Sequence, residues 1–340
     1  MRAGLSIGYL GTPKDAVVPL KALVGAGYEV RLVVTGPDRR RSRRGRLEPT
    51  PVKQAASELG IQVSEDVEDL VDSGVDLGVV VAFGRIIKRD VLEQVPIVNL
   101  HFSLLPRWRG AAPVERAILA GDKETGVCLM SLDEGLDTGP VHECRSVEIG
   151  DQETAGHLRG RLAELGSHML LEWLETFPEG LAISRPQVGE ATYAPKIDPG
   201  ELCLRWDCPA EKLARVVRVG RAWTMLEGSR IAILEARAAE GSPGVLVPSL
   251  RDCQGEPHEA RAAEGSGHLL GRPAACVGYE PGVSQLPGTV HLDSSSGTVW
   301  VATGRGRLEL SLLRPQGRAT MNAADWLRGL RRAGPIVLGQ

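Results

Sequence analysis

No apolar run in this chain approaches the ~20 residues that a membrane-spanning helix needs, so no membrane partner is expected. The first residues, Met1 to Ile7, carry one charge and a short apolar stretch soon broken by Gly8, Gly11 and Pro13. That is not the pattern of a secretory signal, and the chain is expected to be cytoplasmic. Cysteine is sparse: Cys128, Cys144, Cys203, Cys208, Cys253 and Cys276 are scattered, with no C-x-x-C pair. Zinc sites want ligands at short, paired spacing, and a disulfide scaffold is unsuited to a chain this long. The six are therefore expected to be buried or incidental thiols. The turn after the first strand lacks G-x-G-x-x-G, which gives no ground for a dinucleotide. Neither sign of charge dominates, the net being -3.

What remains is an ordinary globular composition, 42% hydrophobic and 24% charged over 340 residues, enough for two domains with separate cores. Charge is unevenly placed. Residues 1–200 carry 23 basic and 29 acidic side chains, and residues 201–340 carry 17 and 14. The sharpest local feature is Arg39, Arg40, Arg41, Arg43, Arg44 and Arg46 in one short loop. Such a cluster is either a solvated charge run or a footprint for phosphates.

The chemistry concentrates in residues 98–141. An apolar run over 95–98 leads into Asn99 and His101, two apart and so on one face of a strand ending. A segment broken by Pro and Gly follows, then a helix over 111–119 with Pro113 in its first turn, and a strand over 126–132. Asp137 stands on the next loop. A side-chain amide can donate to an oxygen that becomes negative, an imidazole can move a proton near neutral pH, and a carboxylate can orient that imidazole. The three suit acyl transfer to an amine. By residue type alone, a turn asparagine, a core histidine and an Asx-turn aspartate would look the same.

Longer blocks separate the two readings. Asn99-Leu100-His101, Ser103 through Pro113 (SLLPRWRGAAP) and Gly135-Leu136-Asp137-Thr138-Gly139 resemble the core of the 10-formyltetrahydrofolate-dependent formyltransferases. Further blocks agree: Gly11-Thr12-Pro13, Pro37-Asp38-Arg39, Pro51-Val52-Lys53, Ala191 to Lys196 (ATYAPK) and Ala323 to Leu327 (AADWL). The resemblance implies 10-formyltetrahydrofolate as formyl donor, no metal, and initiator methionyl-tRNA as acceptor. It implies catalytic roles for Asn99, His101 and Asp137. Ser103, Leu104, Leu105 and Pro106 would line the folate site, with Phe83 on its wall. The arginine loop, with Lys196, would meet the transfer RNA backbone. The chain is expected to act as a monomer.

Along the chain, strands over 5–10, 28–35, 61–63 and 77–83 alternate with helices over 14–26, 52–59 and 67–72. LGVVVAF at 77–83 is continuous enough for a parallel strand buried on both faces. A strand over 141–147 and a helix over 153–176, apolar at Leu158, Leu162, Leu165, Met169 and Trp173, follow. The expectation is an α/β, doubly wound, mostly parallel Rossmann-like sheet over 1–185, and then a linker over 186–203. Short strands over 230–237, 288–292, 298–302 and 307–313 indicate a small β domain over 204–340, which the resemblance makes an OB-like barrel. A last helix is expected over 322–332. His142 could join His101 at a metal, but no third ligand is suitably spaced.

Two stretches depart from the family. Val219 to Met225 (VGRAWTM) replaces an Asn-Pro-Trp-Pro-Gly-Ala-like segment, and 238–287 is long and rich in Gly, Pro and Glu, as expected of a surface insertion. The same Asn, His and Asp set would also serve formyl transfer to an amino-sugar nucleotide or glycinamide ribonucleotide, or hydrolysis of the donor. A non-catalytic transfer-RNA-binding module would tolerate damage at those three positions, and all three are present.

Overall fold

The computed structural model describes residues 4–40, 46–239, 286–330 and 334–339. Arg41, Arg43, Arg44, Cys253, Cys276 and nearly all of the expected insertion lie outside them. Two compact units are present, the first running to Glu201 with Arg218–Gly220, the second from Leu202 to Val217 and from Arg221 onward.

The strands of the first unit are β1 (Ser6–Gly11), β2 (Glu29–Val34), β3 (Arg39–Arg40), β4 (Leu47–Glu48), β5 (Gln62–Ser64), β6 (Leu77–Val81), β7 (Ile97–His101), β8 (Glu124–Ser131) and β9 (Val141–Glu148). Seven of them form one sheet in the order β5-β2-β1-β6-β7-β8-β9. From β5 to β7 neighbours are parallel, whereas β7-β8 and β8-β9 are antiparallel. This is the doubly wound, mostly parallel arrangement the alternation calls for. β1, β6 and β7 are buried at every position, as central strands covered on both faces should be.

Helices α1 (Val17–Gly25), α2 (Pro51–Glu58), α3 (Asp69–Asp72), α4 (Arg89–Leu92), α5 (Pro113–Ala120) and α6 (Ala155–Leu174) cover the sheet. Sequence chemistry sets their ends. Thr50 and Thr154 cap α2 and α6 by accepting the amides of Lys53 and His157, and Gly121 ends α5 in the left-handed conformation at φ 81. In α6 the expected stripe is observed: Leu158, Leu162, Met169 and Trp173 are buried, while His157 and His168 face out. Phe83 is 5% exposed and packs with Leu10, Leu32, Val80 and Ile97 in a core cluster.

The second unit contains α7 (Ala210–Val219), apart from its last two residues, together with β10 (Trp223–Leu226), β11 (Ser229–Ala239), β12 (Val290–Leu292), β13 (Val299–Ala302), β14 (Arg307–Pro315), β15 (Met321–Asn322) and α8 (Ala323–Gly329). Its antiparallel sheet runs β10-β11-β14-β13-β12, with β15 on β14. Val299, Val301, Leu308 and Leu310 lie in its core, and Glu309 between the two leucines is buried as well. The departing segment supplies β10, which pairs Trp223 with Ala232 and Leu226 with Ser229. Among the described residues no helix is long and apolar enough to cross a membrane.

One sequence expectation is overturned. Cys128 and Cys144 are not incidental thiols but a disulfide, because the antiparallel β8-β9 register sets them directly opposite with Cα atoms 4.1 Å apart. A spacing of 16 residues in sequence carries no sign of that pairing. Peptide mapping without reductant is expected to recover Cys128 and Cys144 in one linked fragment, while Cys203 alkylates on denaturation as a thiol. Separate recovery of the Cys128 and Cys144 peptides would contradict the pairing.

Candidate active site

Asn99 and His101 are the third and last residues of β7 and lie on the same face of the sheet. The opposite face packs on α6, where Leu100 and Val127 approach Gly166. Both polar side chains are nonetheless buried, Asn99 at 8% and His101 at 5% exposure. His101 meets the irregular segment 102–112 at Trp108 and the loop 132–140 between β8 and β9 at Asp137.

Segment 102–112 is a chain of local anchors. Ser103 Oγ donates to the Arg107 carbonyl at 2.6 Å, and the Arg107 amide donates to Leu104 O at 3.1 Å, which closes the turn. The Arg107 guanidinium then grips Asp122 at 3.0 and 2.7 Å and lies 4.5 Å over the Trp108 ring. Trp108 also donates its indole N–H to Asp122 at 2.8 Å. Beside Asp122, the Arg107 guanidinium is held above its ordinary pKa. These contacts put the Trp108 carbonyl 2.9 Å from His101 Nε2, so that the ring proton sits on Nε2 and Nδ1 is turned elsewhere.

Nδ1 faces Asp137, with Oδ2 at 3.5 Å and the carboxylate only 13% exposed. The same Oδ2 accepts the Gly110 amide at 2.7 Å. Asp137 adopts φ 51 and Trp108 φ 63, a left-handed region that non-glycine residues occupy at a cost. Gly110 itself has φ 116, and a Cβ there would lie 3.0 Å from the Ala194 carbonyl. Two strained positions and one glycine thus converge on a single carboxylate and a single imidazole.

The segment expected to serve as a linker forms part of this wall. Arg109 and Tyr193 make a parallel bridge, and the Arg109 amide and carbonyl bond Thr192 O and Ala194 N at 2.8 and 2.7 Å. Thr192 Oγ1 accepts the Trp108 amide, and Gln187 joins Arg109 to the Asp137 loop. Sequence reasoning gave no part to Asp122, just beyond the helix expected over 111–119, or to Gln187, which lay in presumed linker. Thr192 stood inside a matched block without an assigned part.

The other expected residues fall as follows. Leu104, Leu105 and Pro106 are partly buried beside Ser103 in the same segment. Phe83 spends its ring in the core, with Arg85 5.5 Å above it. Arg39, Arg40 and Arg46 are exposed in and beside the β3-β4 hairpin, and Lys196 is exposed in the 192–197 strip. That hairpin is tied at its base by the Lys53–Asp38 pair at 2.7 Å, which raises the lysine pKa, and by Thr35 against Thr50 at 2.8 Å. His142 does not face His101; its nitrogens meet Ser131 Oγ and Ile183 O, and burial lowers its pKa.

Known proteins match along nearly the whole chain. The Formyl transferase family model matches residues 11–174, and the model of the Formyl transferase, C-terminal domain, matches residues 196–331. A methionyl-tRNA formyltransferase of Heliobacterium modesticaldum is 39% identical over 96% of this chain and 97% of its own. That of Halorhodospira halophila is 41% identical over 95% and 96%. Among solved structures, the fold is shared with an N-formyltransferase of Helicobacter canadensis, with a TM-score of 0.60 at 14% identity over 90% of this chain and 99% of that one. It is shared also with HypX of Aquifex aeolicus, TM-score 0.60 at 15% identity over 97% of this chain, which spans about half of that protein (50%).

Replacing Gly110 by alanine is expected to destabilise the protein by about 1–3 kcal/mol through the left-handed φ and the Ala194 carbonyl. Gly160→Ala, in α6 with open space around it, should be neutral or stabilising. Thermal melting of the two variants checks the contrast, and equal melting temperatures would contradict it.

Proposed function

This chain belongs to the formyl transferase family, and on that premise we propose that it moves a formyl group from 10-formyltetrahydrofolate to the α-amino group of methionine esterified to initiator transfer RNA. The observation that carries the reading is the buried His101–Asp137 pair, 3.5 Å apart, on the sheet face that also presents Asn99. Whole-length similarity to enzymes named for this reaction supports the same choice.

The residues suit the chemistry in order. Attack of the amine on the formyl carbon builds negative charge on the formyl oxygen and leaves a surplus proton on the amine. Asn99, with an amide N–H₂ at the end of β7, donates to that oxygen, and a preorganised donor in a dry site is worth far more than one in water. His101 assists at the same centre. Its Nε2–H is fixed on the Trp108 carbonyl, so Nδ1, facing Asp137, is the nitrogen through which proton exchange runs. Asp137 orients the ring, offsets its charge and takes part in collecting the amine proton. Ser103 to Pro106 shape the donor site by backbone and packing.

Exposed Arg39, Arg40 and Arg46, with Arg41, Arg43 and Arg44 between them, supply the phosphate contacts of the acceptor arm, and Lys196 adds one from the strip beside the site. The base of the hairpin is held by Lys53 with Asp38 and by Thr35 with Thr50. Phe83 contributes to the folate wall through the core it anchors.

Formyl transfer should be seen with charged initiator methionyl-tRNA and not with free methionine or an amino-sugar nucleotide. His101→Ala should lower kcat by about 10²-fold or more, and Asn99→Ala by about 10²–10³-fold. Activity on the sugar nucleotide, or formate release without an acceptor, would sink this reading. The pair Arg39→Ala, Arg40→Ala should raise KM for the transfer RNA and flatten its salt dependence, with KM for the folate unchanged.

A further inference from the structure

We propose that Gln187 is a positioning residue for the reaction, acting through Asp137; this rests on the formyl-transfer reading above. Its side-chain amide is fully used. Oε1 accepts Arg109 Nε and Nη2 at 3.0 and 2.6 Å, while Nε2 donates to the carbonyls of Asp137 and Gly139 at 2.8 and 2.9 Å. Turning the amide over would set its N–H groups against the guanidinium and its oxygen against two carbonyls, so one orientation alone satisfies all four groups.

The position of this amide matters more than its energy. Arg109 follows Trp108, whose carbonyl fixes His101 Nε2, and precedes Gly110, whose amide holds Asp137 Oδ2. Gly139 closes the loop that carries Asp137, and a Cβ there would fall 2.0 Å from the Ser131 carbonyl. Gln187 therefore ties the segment that sets the imidazole to the loop that sets the carboxylate. Within that loop, Asp133 accepts from Gly135 N and Thr138 Oγ1, which shapes the turn but does not locate it over the sheet. Asp137 at φ 51 is held in a conformation that it would leave if its carbonyl were released. The residue is half-buried, and its role is to keep a 3.5 Å pairing in register rather than to touch the reacting atoms.

The test is a double-mutant cycle on the full chain with charged initiator transfer RNA, using Gln187→Ala, Asp137→Asn and the pair. Gln187→Ala should lower kcat by roughly 10–100-fold, with KM for folate and transfer RNA within about 3-fold of wild type. In the Asp137→Asn background it should change kcat by less than about 2-fold, because the group it positions is already gone. Gln187→Glu keeps the Arg109 contact and loses both donations, so it should fold normally and still lose kcat. Wild-type kcat in Gln187→Glu, an equal loss in both backgrounds, or KM and melting temperature falling away together with kcat would overturn the proposal. An inactive wild type would instead sink the reading of the reaction. Hydrogen exchange of the Gly110 amide would then decide this one: faster exchange in both Gln187 variants supports it, and unchanged exchange overturns it.

Discussion

Everything at the candidate site depends on one carboxylate oxygen. Asp137 Oδ2 accepts the Gly110 amide and faces His101 Nδ1, so the segment after β7 and the loop after β8 are joined through a single atom. A buried carboxylate is costly to leave unpaired, and a left-handed aspartate is costly in backbone terms. The two costs are offset together only when both segments are in place.

The sheet changes direction at β8, and the loop that reaches His101 has to cross it. Five parallel strands end with β7, and β8 then runs back beside it, which brings Cys128 opposite His101 and Ser131 opposite Val98. Loop 132–140 is thereby launched from the wrong end of β7 and has to fold over the sheet face to reach His101. The β8-β9 hairpin that carries it is linked by the Cys128–Cys144 disulfide, one rung from the histidine.

Electrostatics divide the first unit into two working regions. Near the chemistry, the charges of Arg107 and Asp122 are matched and partly covered, which fixes geometry. On the β3-β4 hairpin Arg39 and Arg40 are exposed, and Asp38 near its base is engaged by Lys53. Exposed cations of this kind add little to folding. They are suited to a polyanion, whose condensed counterions are released on contact.

The alternation of β and α elements, the stripe of α6 and the i, i+2 placement of Asn99 and His101 were legible in the residues, because each follows from a period of 2.0 or 3.6 along a local stretch. Caps at Thr50 and Thr154 and the glycine end of α5 are local as well. Asp137 could be named only because its block resembles a family; nothing in its own neighbours distinguishes it from a turn aspartate. The short strand β10 escaped notice, since its pairing with β11 and not its composition makes it a strand. Asp122, Gln187 and the Cys128–Cys144 bond were invisible for the same reason. Gln187 meets Asp137 and Arg109 from 50 and 78 residues away, and such partners are chosen by sheet register and loop direction. The residues determined which segments would form and which could do chemistry; only the tertiary structure decided which of them would meet, because distance along a chain says nothing about distance across a sheet.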